Sequence, residues 1–389
     1  NAWTVKSCLD WTENYLREKG EDRPNLAAEW LLCAATGLAT RTDLFINFDR
    51  PLTAKELDTM HRAVVRRAHG EPLQYITGET QFRMINVTCA PGVLIPRPET
   101  EVLVEQVLSY LDREVLDGAA PRKKAVLPWN AEVEEAKQQE GATEHDALQD
   151  ESGVPTAPEL GAVEHEVMGA GAYAEELAER ASAEADATLE ETEESEETAI
   201  EADEPTEPAA ARVLEVGCGT GCISLSLISE RRGQVTGYAT DIEPRAVELT
   251  CRNRDELGIR EDELTVSLTN LVSSVPREQW GTFDVLVSNP PYIPSAVMKT
   301  LPKEVVDNEP DLALDGGDDG LDVFRRLLNA APYMLRQGGL FACELFEDAC
   351  ETAATLCREA GLSDVEVIED LTGRPRIVRA IVTEPKHRD

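Results

Sequence analysis

At 389 residues, 42% of them hydrophobic, the chain is long enough for two domains with buried cores. Its 75 acidic against 37 basic side chains, a formal charge of −38, argue against a surface that grips phosphate backbones over long tracts. Nine cysteines without Cys-x-x-Cys spacing argue against disulfides or zinc and read as buried thiols in a reducing cytosol. The stretch from Asn1 to Lys6 has no apolar signal core, and no segment approaches a membrane span. The expectation is a soluble cytoplasmic protein, with no metal and with first residues trimmed, since the chain does not begin with Met.

Residues 1–80 read as a small helical bundle. Val5, Cys8, Leu9, Tyr15 and Leu16 share one helical face, and Gly20 follows as a stop. A second helix opens near Asn25, carries Leu26, Trp30, Leu31 and Leu32, and ends at Gly37. Thr53 and Glu56 form a capping box for a third, which runs through Leu57, Met60, Val64 and Val65 to Gly70. Arg62, Arg66 and Arg67 give that helix a basic face, either solvated or a docking surface.

Residues 81–117 connect this bundle to the rest of the chain. A hairpin is expected from Phe82 to Cys89, returning as Val93-Leu94-Ile95, and Pro98 starts a helix running to about Leu116. The charged proline turn between them, Pro96-Arg97-Pro98-Glu99-Thr100-Glu101, is either a plain linker or one wall of a substrate cleft. Residues 118–210 then change character, with 26 acidic against 5 basic side chains and hardly an aromatic. Such a segment cannot bury enough apolar surface to offset its ordering entropy and is expected to be a disordered acidic insertion.

From Arg212 strand and helix alternate, as a doubly wound sheet requires. Strands are expected at Val213–Val216, Val235–Thr240, Leu264–Leu268 and Phe283–Val287, and two more at Gly339–Glu344 and Arg376–Val382. Helices fall at Ile223–Ser229, Pro244–Leu257, Asp322–Leu335 and Cys350–Ala360. The first strand runs into Gly217-Cys218-Gly219-Thr220-Gly221. This G-x-G-x-G loop has Cys222 where a dinucleotide fingerprint places its third glycine, so no pyrophosphate need be cradled. Asp241 ends strand two, placed to accept hydrogen bonds from both hydroxyls of a ribose. Glu215 lies under the loop, either near a methionine amino group or fixing the turn by accepting backbone N–H groups.

The fourth strand stops at Ser288-Asn289-Pro290-Pro291-Tyr292, leaving Asn289 at the carboxyl end where open α/β sheets put their chemistry. This stretch suits methylation of a planar nitrogen whose lone pair is delocalised, which needs both N–H hydrogens held by acceptors. The Asn289 side-chain oxygen can take one and the Pro290 carbonyl, stiffened by Pro291, the other. Tyr292 can pack its ring on the flat face of the amide or base. The gain comes from position and oriented dipoles, with no acid, base or metal required. Glycine loop, Asp241 and Asn-Pro-Pro-Tyr in this order point to S-adenosylmethionine as the cofactor. Adenine-N6 methylation of nucleic acid poses the same problem to Asn289, but this acidic chain has no long Lys/Arg stripe. A binding module whose acidic segment mimics nucleic acid is opposed by the intact motifs, and a dehydrogenase by the glycine spacing. The five histidines suggest no nucleophilic triad: His145 and His165 lie in the insertion, His387 in the tail, and His61 and His69 on one bundle helix.

Leu-Ile-Pro-Arg-Pro-Glu-Thr-Glu ending at Glu101, Glu215 to Gly221, Ser288 to Ile293, and the later Asn308-Glu309-Pro310, Ala313-Leu314, Gly316-Gly317 and Asp319-Gly320-Leu321 together resemble the HemK/PrmC family of release-factor glutamine methyltransferases. The resemblance covers residues 1–117 and 211–389. It implies a Rossmann-like S-adenosylmethionine-dependent methyltransferase domain over 211–389 and an N-terminal helical domain that helps to hold the partner. It implies methyl transfer to the glutamine side-chain amide in the Gly-Gly-Gln loop of bacterial class-one peptide-chain release factors. The chain is expected to be a monomer without direct nucleic-acid or membrane binding. Matched residue by residue, Gly217, Cys218, Gly219, Thr220, Gly221 and Asp241 would bind the cofactor. Asn289, Pro290, Pro291 and Tyr292 would hold the glutamine, with Asn289 also near the methyl donor. Where the family often has an acidic residue and an aromatic near the adenine, this chain has Asn270-Leu271, and Asn270 is kept as the contact. The acidic insertion has no counterpart in the family pattern and falls where it leaves both sites intact.

Overall fold

The structure is a computed structural model and describes residues 3–116 and 211–386; the acidic insertion, its two histidines and His387 lie outside the described residues. The chain opens with α1 (Val5–Glu18), whose capping box is formed by Thr4 and Ser7, and α2 (Pro24–Thr36), which starts on a proline and ends at left-handed Gly37. The bundle's third long helix, α4 (Ala54–Ala68), carries the Thr53–Glu56 capping box. Two short helices, α3 (Arg41–Ile46) and α5 (Leu73–Thr77), complete it; with six and five residues they are too brief for a helical period to show in sequence. Val5, Leu16, Leu31, Leu32, Met60 and Val64 form its core.

The basic face of α4 is not a free patch. Arg62 pairs with Asp58 and Arg66 with Glu71, while the half-buried Arg67 guanidinium bridges Glu21 at 2.6 Å and Glu304 at 2.8 Å.

The hairpin differs from the sequence expectation. Strands β1 (Glu79–Phe82) and β2 (Ile85–Thr88) pair antiparallel, with Phe82 opposite Ile85, and Val93–Ile95 joins no ladder. The turn is Arg83-Met84, with Arg83 at a φ of 49°. No glycine or asparagine announces it. The Arg83 guanidinium instead binds Glu230 at 2.6 Å and Glu105 at 3.0 Å, contacts from distant parts of the chain. Val93 and Ile95 are nevertheless buried, and the Tyr75 hydroxyl donates to the Val93 carbonyl at 2.7 Å.

Helix α6 (Pro98–Glu114) follows and packs Leu103, Val104, Val107 and Leu111 against the central sheet. The sheet comprises β3 (Ala211–Val216), β4 (Val235–Asp241), β5 (Leu264–Leu268), β6 (Phe283–Ser288), β7 (Leu335–Glu344), β8 (Ser363–Glu369) and β9 (Pro375–Ile381), in the order β5-β4-β3-β6-β7-β9-β8. The first five strands run parallel, β9 pairs antiparallel with β7, and the edge strand β8 pairs antiparallel with β9. Successive residues of each buried strand face opposite layers: Val213, Val285 and Ala342 pack with α6 and α7 (Cys222–Glu230), and Leu214, Leu286 and Phe341 with α12 (Asp322–Met334) and α13 (Cys350–Glu359). Helix α8 (Pro244–Glu256) links β4 to β5. Between β6 and α12 lie three short helices, α9 (Ser295–Met298), α10 (Lys303–Val306) and α11 (Asp311–Leu314), each preceded by a proline.

The chain winds outward from β3 to β5 and then returns to place β6 beside β3. That reversal opens a crevice between the carboxyl ends of β3 and β6. Among the described residues no helix is long and apolar enough to cross a membrane.

Candidate active site

A single cleft brings together the turn after β3, the end of β4, the turn after β6 and the proline segment before α6. Gly217 and Gly219, at φ of 76° and 56°, let the chain double back after β3. The N–H groups of Gly217 and Cys218 donate to the Thr240 carbonyl at 2.7 and 3.0 Å. Gly219 donates to Asp241 Oδ2 at 2.9 Å, and Asp241 Oδ1 accepts from the Glu243 N–H at 2.9 Å. Asp241 therefore pins the loop, and each oxygen keeps further acceptor capacity. Burial raises its pKa, opposed by those N–H donors.

Gly217, Cys218, Gly219 and Thr220 line the cleft, whereas Gly221 stands behind it. A Cβ at Gly221 would lie 2.8 Å from Thr250 and 2.9 Å from Leu225, so this glycine serves close packing of helix on helix. Glu215 is buried beneath the loop; Oε2 accepts from the Ser224 N–H in the first turn of α7 at 2.9 Å, and Oε1 has no hydrogen-bond partner among the described residues. Asn270 lines the cleft with Ile242, Leu271 and Arg326, and Arg326 donates to its Oδ1 at 2.7 Å.

At the end of β6 the Ser288 hydroxyl donates to the Val216 carbonyl at 2.6 Å, tying the two strand ends together. Asn289 Nδ2 donates to Thr100 Oγ1 at 3.1 Å, and its buried Oδ1 has no partner among the described residues. Pro290 and Pro291 line the cleft beside it, and the Pro290 carbonyl takes no hydrogen bond from the described residues. Tyr292 is placed differently from the expected stacking position: its side chain turns away from the cleft lining, and its hydroxyl donates to buried Glu344 at 3.0 Å.

The loop after α11 locks this stretch in place. The Ile293 N–H donates to the Leu314 carbonyl and the Gly316 N–H to the Ile293 carbonyl, both at 2.9 Å. A Cβ at Gly316 would meet the Pro291 carbonyl at 2.8 Å, and one at Gly320, whose φ is 75°, would meet the Tyr292 carbonyl at 2.3 Å. Gly320→Ala is therefore expected to displace Pro290-Pro291-Tyr292 and lower turnover at least ~10-fold while donor binding is retained, because a misplacement of about 1 Å suffices for such losses. Steady-state kinetics beside donor calorimetry reads both.

The proline turn forms a wall of the cleft, through Pro96, Arg97 and Thr100 together with Gly92, Val93 and Leu94. Arg97 is held by buried Glu309 at 2.6 Å. Glu309, Arg326 and Glu344 are not among the site residues expected from sequence, and Thr100 is expected only as part of the turn. Glu344 carried a usable signal: like Asp241 and Asn289, it is a polar residue ending a buried parallel strand.

These residues fit S-adenosylmethionine. The unpartnered Glu215 Oε1 suits its ammonium, Asp241 its ribose hydroxyls, and the mainly apolar walls its remaining surface. Burial pushes the Glu215 carboxyl up to about 8. A cationic ammonium favours the ionised form, so binding below about pH 8 must release the Glu215 proton. Donor affinity should rise as pH approaches about 8, with Glu215→Gln flattening that rise; calorimetry in buffers of different ionisation enthalpy counts the proton. Stability of the ligand-free chain runs the other way. The folded state keeps a proton that the unfolded state releases above about 4.5, so this contribution is lost as pH rises from about 4.5 through about 8.

Residues 7–78 match the PrmC N-terminal domain family, and residues 199–318 the methyltransferase small domain family. A release factor glutamine methyltransferase of Rhodospirillum rubrum is 38% identical over 88% of this chain and 74% of its own length. A human MTRF1L release factor glutamine methyltransferase is 27% identical over 86% of this chain and 73% of its own. A release factor glutamine methyltransferase of Geobacter sulfurreducens is 32% identical over 88% of this chain and 84% of its own length, and with that extent of likeness the chain belongs to the release factor glutamine methyltransferase family.

Proposed function

We propose that this chain transfers a methyl group from S-adenosylmethionine to the side-chain amide nitrogen of the glutamine in the Gly-Gly-Gln loop of a bacterial class-one peptide-chain release factor. The observation that carries this reading is the buried Asn289 Oδ1, an acceptor without a partner in the same cleft as Glu215 and Asp241. S-adenosylmethionine supplies, when bound, a methyl made electrophilic by its sulfonium. The chain's part is to hold the amide. Asn289 Oδ1 accepts one N–H and the Pro290 carbonyl the other, which orients the nitrogen and stabilises the positive charge that grows there as its bond to the methyl forms and the methyl–sulfur bond breaks; one N–H proton is then lost to water, leaving the neutral methylamide. Neither acceptor must reorganise as the charge develops, since both are fixed by the ends of β6 and the loop after α11.

The same pair of acceptors would serve an adenine amine. Glutamine is favoured because relatives matching over most of their length are named for glutamine methylation of release factors. Within this reading residues 1–80 help to hold the release factor, 81–117 connect and wall the cleft, 118–210 are the acidic insertion, and 211–389 carry out transfer. The enzyme acts as a monomer in the cytoplasm, where its substrate is used. Incubation with labelled S-adenosylmethionine and either a purified release factor or adenine-containing duplex DNA separates the two substrates. Label on the factor supports the reading, and label on DNA alone replaces it with the adenine reaction.

A further inference from the structure

Three polar groups from distant parts of the chain converge behind Asn289. Glu344, fully buried at the carboxyl end of β7, accepts two hydroxyl hydrogens: Thr100 Oγ1 donates to Oε2 at 2.7 Å and the Tyr292 hydroxyl to Oε1 at 3.0 Å. Thr100, itself 1% exposed, sits in the first turn of α6 and receives Asn289 Nδ2 at 3.1 Å. We propose that Thr100 and Glu344 are positioning residues that fix which end of the Asn289 carboxamide faces the cleft, an inference that deepens the amide-methylation reading and rests on it for its catalytic consequence.

Burial raises the Glu344 pKa, opposed by the Thr100 and Tyr292 hydroxyls and by Arg376; in its ionised form this carboxylate only accepts, and a hydroxyl has one hydrogen. With that hydrogen committed to Glu344, Thr100 offers Asn289 nothing but lone pairs. Only the NH2 end of the carboxamide can meet them, so Oδ1 is left turned away from Thr100 without a partner. The flipped carboxamide would set oxygen against oxygen and present two donors to a substrate amide that needs an acceptor. The Tyr292 hydroxyl occupies the other carboxylate oxygen and holds Glu344 in place, which gives this tyrosine a role without contact to substrate.

Two readouts test the tether. The first needs no substrate: in selectively labelled full-length protein, the Asn289 side-chain NH2 should exchange its hydrogen slowly in the wild type. Exchange should be fast in Thr100→Val, which has no acceptor, and in Glu344→Gln, whose amide can donate to Thr100 and free its hydrogen to turn toward Asn289. Thr100→Ser should restore protection. The second is kinetic: Thr100→Val and Glu344→Gln are each expected to lower kcat on a release factor by about 10- to 100-fold, with unchanged S-adenosylmethionine affinity as the check on folding. Thr100→Ser should stay within a few-fold of wild type, and the double variant Thr100→Val with Glu344→Gln should lose no more than the worse single one, since both act through one chain of bonds. Unchanged exchange across the variants, or full kcat in Glu344→Gln, overturns the inference. A wild type that shows the exchange pattern but methylates no release factor upholds the tether and rejects the substrate reading.

Discussion

Asn289→Ala is expected to lower kcat by about 100-fold or more, the loss seen when one preorganised group facing a developing charge is removed. The substitution deletes the unpartnered Oδ1 and with it one of two acceptors for the reacting amide. Affinity for S-adenosylmethionine should hardly change, because Glu215, Asp241 and the Gly217–Thr220 turn keep their contacts. Folding should hold as well: Asn289 is only partly buried, and Thr100 retains its bond to Glu344. Single-turnover rates beside donor calorimetry would separate the two quantities. Turnover near that of the wild type would remove Asn289 from the mechanism.

Asp241→Ala should show the opposite split. Its carboxylate holds the N–H groups of Gly219 and Glu243, each at 2.9 Å, at the end of β4 where a ribose would lie. Removing it strands two donors, unpins the turn after β3 and takes away the hydroxyl acceptor. At roughly 1.5–3 kcal/mol per charge-assisted hydrogen bond, the affinity for S-adenosylmethionine should fall about 100-fold. At saturating donor, kcat should stay within a few-fold of wild type, since the residues facing the amide are untouched. Equal losses in kcat and in affinity would mean that Asp241 supports the whole cleft and not the donor half alone.

Residues at the ends of buried strands were legible in the sequence because strand, turn and polar residue are contiguous there. Glu215, Asp241 and Asn289 fall in the one cleft for that reason, and the parallel strands β3 to β6 lie within a residue or two of their expected bounds. What remained hidden depends on contacts between distant parts of the chain. Thr100 meets Glu344 across 244 positions, so the tether behind Asn289 leaves no local pattern. Arg83 adopts its left-handed turn through carboxylates on α6 and α7, and the hairpin was accordingly read with the wrong partner strand. Strand β8 alternates Asp364 and Glu366 with Val365 and Val367 at the sheet edge and is absent from the expected strands. Gly221 shows the converse: its motif suggested a ligand contact, and its surroundings are Thr250 and Leu225.

The most direct test of the central claim is to map the methyl group on the product. A purified class-one release factor and its Gly-Gly-Gln→Gly-Gly-Ala variant would each be incubated with this enzyme and labelled S-adenosylmethionine, then digested and sequenced by tandem mass spectrometry. One methyl on the side-chain nitrogen of that glutamine, and none on the variant, is the predicted result. Equal label on the variant, or label at any other residue, would contradict the account.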